Sequence, residues 1–336
     1  MKYIEITAPS RDAFQYGERP DPVPPTKGRI LVRMKAGSIN FADLAVASGQ
    51  YPGAPYPIIP LADGAGEVVA IGEDVWQVKV GDRVAVHVKA RWIAGRSSAE
   101  LANLMRGATL PGSLVEIAEL DAAGVVKIPD YLSWEAAGTL PVAAMTAWRA
   151  LETAHIGPAS TVALLGTGGV SIFALQLAKA RGARVIITSS SEEKLRRARE
   201  LGADEVFNYR KDAAWDVFIQ QRTGGVGADL VIDPVGGEAF NRSVSAVRHG
   251  GTVAAIGFLG GGSTPLDLLS VIFKEVRVQG ANGGSVADLA AAVAAIAAHR
   301  IEPVIDRKFT LNELAQAYEL MSQGGHFGKI AIEFDW

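Results

Sequence analysis

A chain of 336 residues is long enough for two domains, each with its own core. Apolar residues at 49% and charged residues at 21% give the balance of an ordinary globular protein, and a net charge of −3 excludes the electrostatic footprint of a nucleic-acid or anionic-membrane binder. The absence of cysteine excludes disulfides, thiolate catalysis and Cys-ligated zinc or iron–sulfur sites, and fits a cytoplasmic location.

The opening MKYIEITAPS has no basic segment followed by an apolar run, so it does not read as a signal peptide. Up to about residue 125, short apolar runs (RILVRMKA, GEVVAIG, DRVAVHV, SLVEIAEL) are separated by Gly, Pro and Asp, which predicts short strands. The stretch AGSINFADL (36–44) places Asn40 and Asp43 three apart in a small, apolar setting. A turn, half of a metal site and part of a catalytic pocket are all open readings. Helical patterning is confined to SSAELANLMR (97–106), where Ser97 and Glu100 have capping-box spacing. That helix and the polar stretch around it (89–112) read as an insertion between two strands.

From about 126, strands and helices alternate. TVALLG (161–166) leads into the helix VSIFALQLAKARG, and ARVIITSS (183–190) precedes SEEKLRRARELG, a charged amphipathic helix stopped by Gly202. EVFNY (205–209), ADLVIDPV (228–235), GTVAAIG (251–257) and VRVQG (276–280) complete six strands, which predicts an α/β fold with a Rossmann-type doubly wound parallel sheet. The apolar segment VADLAAAVAAIAA (286–298) is too short and too alanine-rich to span a bilayer. The final strand GKIAIEF can return to the first domain. The expected division is a discontinuous β-rich domain from 1–125 and 269–336 around a dinucleotide-binding domain at 126–268.

The strongest chemical signal is LLGTGGVSIFALQ. Gly166, Thr167, Gly168, Gly169 and Val170 form the turn from strand into helix, with Gly166 and Gly168 in the first two positions of G-x-G-x-x-G. The first glycine permits the tight turn, and the second lets backbone approach a pyrophosphate at the helix N-terminus. Ser171 takes the third position, where Gly or Ala is usual. Such a pattern alone is weak, but here the strand, the helix and the six-strand series agree. The next strand ends in TSSS, without the Asp or Glu that holds the ribose of NAD. Ser189, Ser190 and Lys194 suit a 2′-phosphate, so the expected cofactor is NADP, used as NADPH. The same serines also read as N-caps of the next helix, and Lys194 as a solvated side chain.

The order GTGGVS, TSSSEEK, ELGAD, NYR and DPVGG after a glycine-rich β-domain resembles the medium-chain dehydrogenase/reductase superfamily over essentially the whole chain. Within it, the pattern is similar to the zinc-independent, quinone-oxidoreductase-like branch. The resemblance implies a GroES-like catalytic domain formed by both chain ends, and a cleft against the Rossmann domain for nicotinamide and substrate. It aligns Asn40 with the catalytic cysteine of the zinc alcohol dehydrogenases, Ala62 and Asp63 with their His–Glu pair, and Val142 with their second cysteine. Residues 89–112 lack the four-cysteine structural lobe, and the histidines at 87, 155, 249, 299 and 326 show no ligand spacing. The implied metal content is none. Without a Lewis acid the substrate must already be electrophilic, so the implied reaction is hydride transfer from NADPH to a quinone or a carbonyl-conjugated alkene. An alcohol or aldehyde dehydrogenase of the same superfamily and a non-catalytic NADPH-binding sensor are the alternatives.

The resemblance also assigns roles. Asn40 and Tyr51 match pocket-lining residues of the quinone reductases and are the candidate catalytic pair, Asn40 as an amide donor and Tyr51 as a hydrogen-bonder or proton source. Each also has a plain structural reading, as a turn residue and a packed aromatic. Asp43 is assigned to ordering the turn. A second pocket tyrosine of those reductases is replaced by Ala45, which weakens the quinone preference. Thr146, Ile256, Gly257 and Phe258 are implied on the nicotinamide side, Asn282 and Gly283 at the carboxamide, Tyr209 at the adenine and Lys329 at a phosphate. Tyr209 and Lys329 read equally as ordinary strand residues. Asp233, at the carboxyl edge of the sheet, is expected to brace its loop. The implied assembly is a homodimer joined through VRVQG (276–280).

Overall fold

The computed structural model describes residues 1–89 and 91–336 and divides the chain into two units, Met1–Met145 with Gly283–Trp336, and Thr146–Asn282. The boundaries expected at 125 and 268 fall inside these units. The strand Val125–Lys127 pairs with Arg83–Val86, and the helix Trp134–Ala137 and π-helical turn Leu140–Ala144 follow within the first unit. At the other boundary, the strand Arg277–Gly280 pairs with Val247–Ala255 and keeps the chain in the second unit as far as Asn282.

The second unit holds a six-stranded sheet in the order Glu205–Asn208, Arg184–Ser189, Thr161–Leu165, Ala228–Asp233, Val247–Ala255, Arg277–Gly280, with every pair parallel. By sequence rank this is 3-2-1-4-5-6, the doubly wound arrangement. The central strands are apolar on both faces: Val162–Leu164, Val185–Ile187 and Leu230–Ile232 are wholly buried. A sheet covered on both sides needs continuous apolar runs rather than alternation, which is how these segments read in the sequence. The order reverses between Thr161–Leu165 and Ala228–Asp233, so the carboxyl ends of those strands flank the switch point where ligands bind in such sheets.

The first unit is organised around the eleven-residue strand Arg29–Ile39, which pairs antiparallel with Ala65–Ile71, Ile117–Asp121 and Lys329–Glu333. The last of these returns the chain end with Ile330 opposite Ile39 and Ile332 opposite Gly37. Ile30, Val32, Met34, Val68, Val84, Leu114, Ile330 and Ile332 form its core. The helix expected at 97–106 is shorter, Ala99–Asn103, and its N-cap is Ser98, whose Oγ accepts from Leu101 N at 3.3 Å. The alanine-rich segment is a helix over Val286–Ala298, capped by Ser285 with Asp288. No helix among the described residues is long and apolar enough to cross a membrane.

Candidate active site

The strand Arg29–Ile39 ends at Asn40, which opens the seven-residue helix Phe41–Ala47. The Asp43 carboxylate reaches back: Oδ2 accepts from Asn40 N and Oδ1 from Ala62 N, both at 2.8 Å. One side chain therefore pins the Asn40 turn to the Ala62–Asp63 turn. Burial pushes the Asp43 carboxyl up to about 6; the two amides and Lys329 oppose this, while Asp63 adds to it. Asp43 orders the turn, the role that the family resemblance implied.

Asp63 is wholly buried and receives four hydrogen bonds. Oδ1 accepts from Val142 N (2.8 Å), and Oδ2 accepts from Ser38 Oγ (2.6 Å), Asn40 Nδ2 (2.9 Å) and Lys329 Nζ (3.1 Å). Lys329 donates in addition to Asn40 Oδ1 (2.5 Å) and Ile39 O (3.2 Å), which uses all three of its hydrogens. The structure thus corrects two expectations. Lys329 is 3% exposed with its ammonium satisfied by these oxygens, so it does not reach a cofactor phosphate. Asn40 has both ends of its amide engaged, so it is not a spare donor for a substrate oxygen. The reason is topological: the returning strand Lys329–Glu333 is registered against Ile39, which delivers Lys329 to the turn from 289 residues away.

Tyr51 follows the short helix, its N donating to Ala45 O at 3.1 Å. Its hydroxyl donates to Met105 Sδ at 3.2 Å, and burial raises its pKa above the ordinary value. A thioether is a weak acceptor, so a better oxygen can claim this proton. Met105 belongs to the 89–112 segment, whose chemistry the sequence left unread. Gly107 there sits at φ 73, and a Cβ on it would meet Ala62 N and Leu61 C, each at 2.8 Å. Gly112 N and Ser113 N also donate to Ile59 O and Leu61 O. The segment is a clamp over the turn carrying Asp63. Within that turn Leu61 is fully buried at φ 77, a conformation costing roughly 1–2 kcal/mol that the surrounding contacts hold in place.

His87 is buried with Nδ1 accepting from Lys89 N (3.0 Å), which puts its proton on Nε2, facing Gly284 O at 3.1 Å. Burial brings its pKa down to about 4. It is a satisfied, neutral core histidine.

In the second unit the strand Thr161–Leu165 runs into Gly166 at φ 75, then Thr167 and Gly168, and Gly169 and Val170 begin the helix Gly169–Ala180. No side chain caps that N-terminus, so its amides face the turn. Ser171 is buried and donates from Oγ to Leu165 O at 3.0 Å, sewing helix to strand where the motif usually has Gly or Ala. The three serines separate in role. Ser191 is the N-cap and accepts from Lys194 N; Ser189 is buried at the strand end; Ser190 lies half-buried between them. The acids that follow are spoken for, Glu192 by Asn208 (2.6 Å) and Lys211 (2.8 Å), and Glu193 by Arg196 (2.6 Å). Tyr209 is exposed, its N donating to Ser189 O at 3.1 Å. Asp233 braces its loop, accepting from Val235 N, Gly236 N and Ser243 Oγ. The loop beyond, Ile256, Gly257 and Phe258, is anchored by Ile256 N to Asp233 O (2.9 Å). Thr146 is buried, and Asn282 and Gly283 lie at the unit boundary.

Residues 26–130 match the alcohol dehydrogenase GroES-like domain family, and residues 169–298 match the zinc-binding dehydrogenase family. A zinc-type alcohol dehydrogenase-like protein of Schizosaccharomyces pombe is 37% identical over 316 residues, 92% of this chain and 91% of that one. The chain belongs to the medium-chain dehydrogenase/reductase superfamily. Among members of this superfamily, acryloyl-coenzyme A reductase of Metallosphaera sedula is 28% identical over 99% of each chain. The crystal structure of a putative alcohol dehydrogenase from Sinorhizobium meliloti has 33% identity and a TM-score of 0.88, covering 99% of this chain and 98% of that one. The chain is an oxidoreductase of this superfamily, whose cofactor is a nicotinamide dinucleotide. The turn fits such a cofactor: Gly166 is in the left-handed region with open space beside it, and the helix amides behind it are uncapped.

Zinc, which one matching family's description implies, does not fit the residues present. Ala62 and Val142 carry no donor atom, and the remaining oxygens, Asn40 Oδ1 and Asp63 Oδ2, already hold an ammonium between them. Among the described residues, no group of three His, Asp or Glu side chains could hold a metal ion.

Proposed function

We propose that this oxidoreductase is a zinc-independent, NADPH-dependent reductase of activated alkenes or quinones. The observation that carries the reading is the Lys329–Asp63 ion pair, which stands where a Lewis acid would be needed to reduce an ordinary ketone. When bound, the dihydronicotinamide ring supplies the hydride. Gly166, Thr167, Gly168, Gly169 and Val170 would receive the pyrophosphate, Ser189, Ser190 and Lys194 the 2′-phosphate, and Tyr209 the adenine side. Thr146, Ile256, Gly257, Phe258, Asn282 and Gly283 would shape the nicotinamide end. Tyr51 keeps its proton because burial raises its pKa, and it can donate to a carbonyl oxygen as negative charge builds there, or protonate the reduced product. Asn40 then holds the turn from which Tyr51 is carried.

Ala45 leaves out the second pocket tyrosine of the quinone reductases, and the Metallosphaera relative is named for acryloyl-coenzyme A, whose alkene is conjugated to a thioester carbonyl. Both favour the conjugated alkene over the quinone. The test is oxidation of NADPH and of NADH against enones, enoyl thioesters, quinones and saturated aldehydes. Turnover of enones or quinones with NADPH is expected. Turnover confined to saturated aldehydes or alcohols would establish the dehydrogenase alternative. A melting-temperature rise with NADPH but no acceptor turned over would establish the sensor.

The chain also carries a surface suited to pairing with a second copy. All four residues of the edge strand Arg277–Gly280 are exposed, and Leu268, Leu269, Ile272 and Phe273 of the preceding helix are each more than 60% exposed. An open sheet edge beside such an apolar face is a liability in a monomer. A homodimer through this edge is expected in light scattering, and Val278→Pro should make it a monomer.

A further inference from the structure

We propose that Lys329 is a positioning residue, a resident cation tethered to the chain that holds the pocket turn where metal-dependent relatives use an ion. This rests on the reductase reading above. Three oxygens from two separate stretches meet at its ammonium: Ile39 O and Asn40 Oδ1 from the strand end, and Asp63 Oδ2 from the Ala62–Asp63 turn. Asp63 in turn holds Val142 N through its other oxygen. Two of the positions that align with metal ligands, Asn40 and Val142, are thus drawn together by one Lys–Asp pair, with side-chain exposures of 3% and 0%.

The cation also decides which way Asn40 faces. Only the amide oxygen can accept from an ammonium, so Oδ1 is drawn to Lys329 and Nδ2 is left to donate to Asp63 at 2.9 Å. Asn40 opens the helix Phe41–Ala47, and Ala45 O in that helix accepts from Tyr51 N. The chain of contacts therefore runs from Lys329 through Asn40 and one short helix to the hydroxyl proposed to serve the substrate. Lys329 does not touch the reacting atoms; it sets the place of a residue that does.

Deleting the side chain leaves a hole lined by three oxygens that a small alkylammonium ion can enter. The experiment is Lys329→Ala assayed with and without propylammonium chloride, beside Lys329→Met, whose longer side chain fills the same hole. In Lys329→Ala, kcat should fall by about a hundredfold, the scale of a one-ångström misplacement. The KM for NADPH should stay unchanged, because the nucleotide turn lies in the other unit. Propylammonium should restore kcat and melting temperature in Lys329→Ala and do nothing for Lys329→Met. If Lys329→Ala does not fold, the charge-neutral pair Lys329→Met with Asp63→Asn serves instead, and should fold but turn over slowly. Wild-type kcat in either the alanine variant or the double variant would overturn the proposal. So would a folded alanine variant that no alkylammonium rescues. If wild type reduces no acceptor, the reductase reading falls, while recovery of the melting temperature by propylammonium still judges Lys329.

Discussion

Ser171 Oγ donates to Leu165 O at 3.0 Å, so the residue that departs from the usual glycine motif ties the nucleotide-binding helix to the strand before it. Its hydroxyl has an internal partner and is buried. Ser171→Ala should cost about 1 kcal/mol in chemical denaturation, the worth of one neutral hydrogen bond, and leave NADPH affinity within twofold. A tenfold loss of affinity in calorimetric titration would mean that Ser171 faces the cofactor instead.

Gly166 separates strain from contact. A Cβ there meets no atom within 4 Å, so Gly166→Ala carries only the backbone penalty of φ 75, roughly 1–2 kcal/mol. The melting temperature should fall modestly. NADPH affinity should fall much further, because the added methyl stands where a pyrophosphate must approach. Equal losses in both would remove the turn from the cofactor site.

Ser189 should govern the choice of cofactor. Asp at this strand end restores the ribose-binding carboxylate of NAD sites and repels a 2′-phosphate, at a cost of roughly 3 kcal/mol, or a hundredfold. Ser189→Asp is therefore expected to reverse the ratio of kcat/KM for NADPH over NADH. A wild-type enzyme that already prefers NADH would refute the reading of Ser189, Ser190 and Lys194.

Two buried groups give stability opposing slopes with pH. Asp43 sits at about 6, above its ordinary 3.8, so its contribution is full at low pH and is lost as pH rises through 6. His87 sits at about 4, below 6.5, so its contribution is present above pH 6.5 and is lost as pH falls towards 4. Each shift corresponds to about 3 kcal/mol, and the two largely cancel between pH 4 and 6. Asp43→Asn removes one arm, so its urea midpoint should drop steadily from pH 6.5 to 4 while that of wild type changes little. Parallel profiles for the two proteins would show that Asp43 is not the titrating group.

Much of the fold is legible in the sequence because it depends on local rules. Gly166 announces the turn since few other residues adopt its left-handed backbone, φ 75. The apolar runs of the central strands announce the parallel sheet since strands buried on both faces must be continuous. Asp43 is assigned to the turn by the family resemblance, and its carboxylate accepts from Asn40 N and Ala62 N.

Other features are settled only by pairing across long separations. Nothing near GKIAIEF marks Lys329 as different from any strand lysine; the register of Ile330 opposite Ile39 makes it the counter-ion of Asp63. Likewise, the 89–112 segment has no motif of its own, yet it brings Met105 to the Tyr51 hydroxyl and packs Gly107 on Ala62. The sequence determined that there is a nucleotide-binding sheet, and the family resemblance implies that Asn40, Ala62 and Val142 stand where relatives have metal ligands. The tertiary structure decided what stands in their place, because burying Asp63 requires a cation, and only the folded chain brings one from 266 residues away.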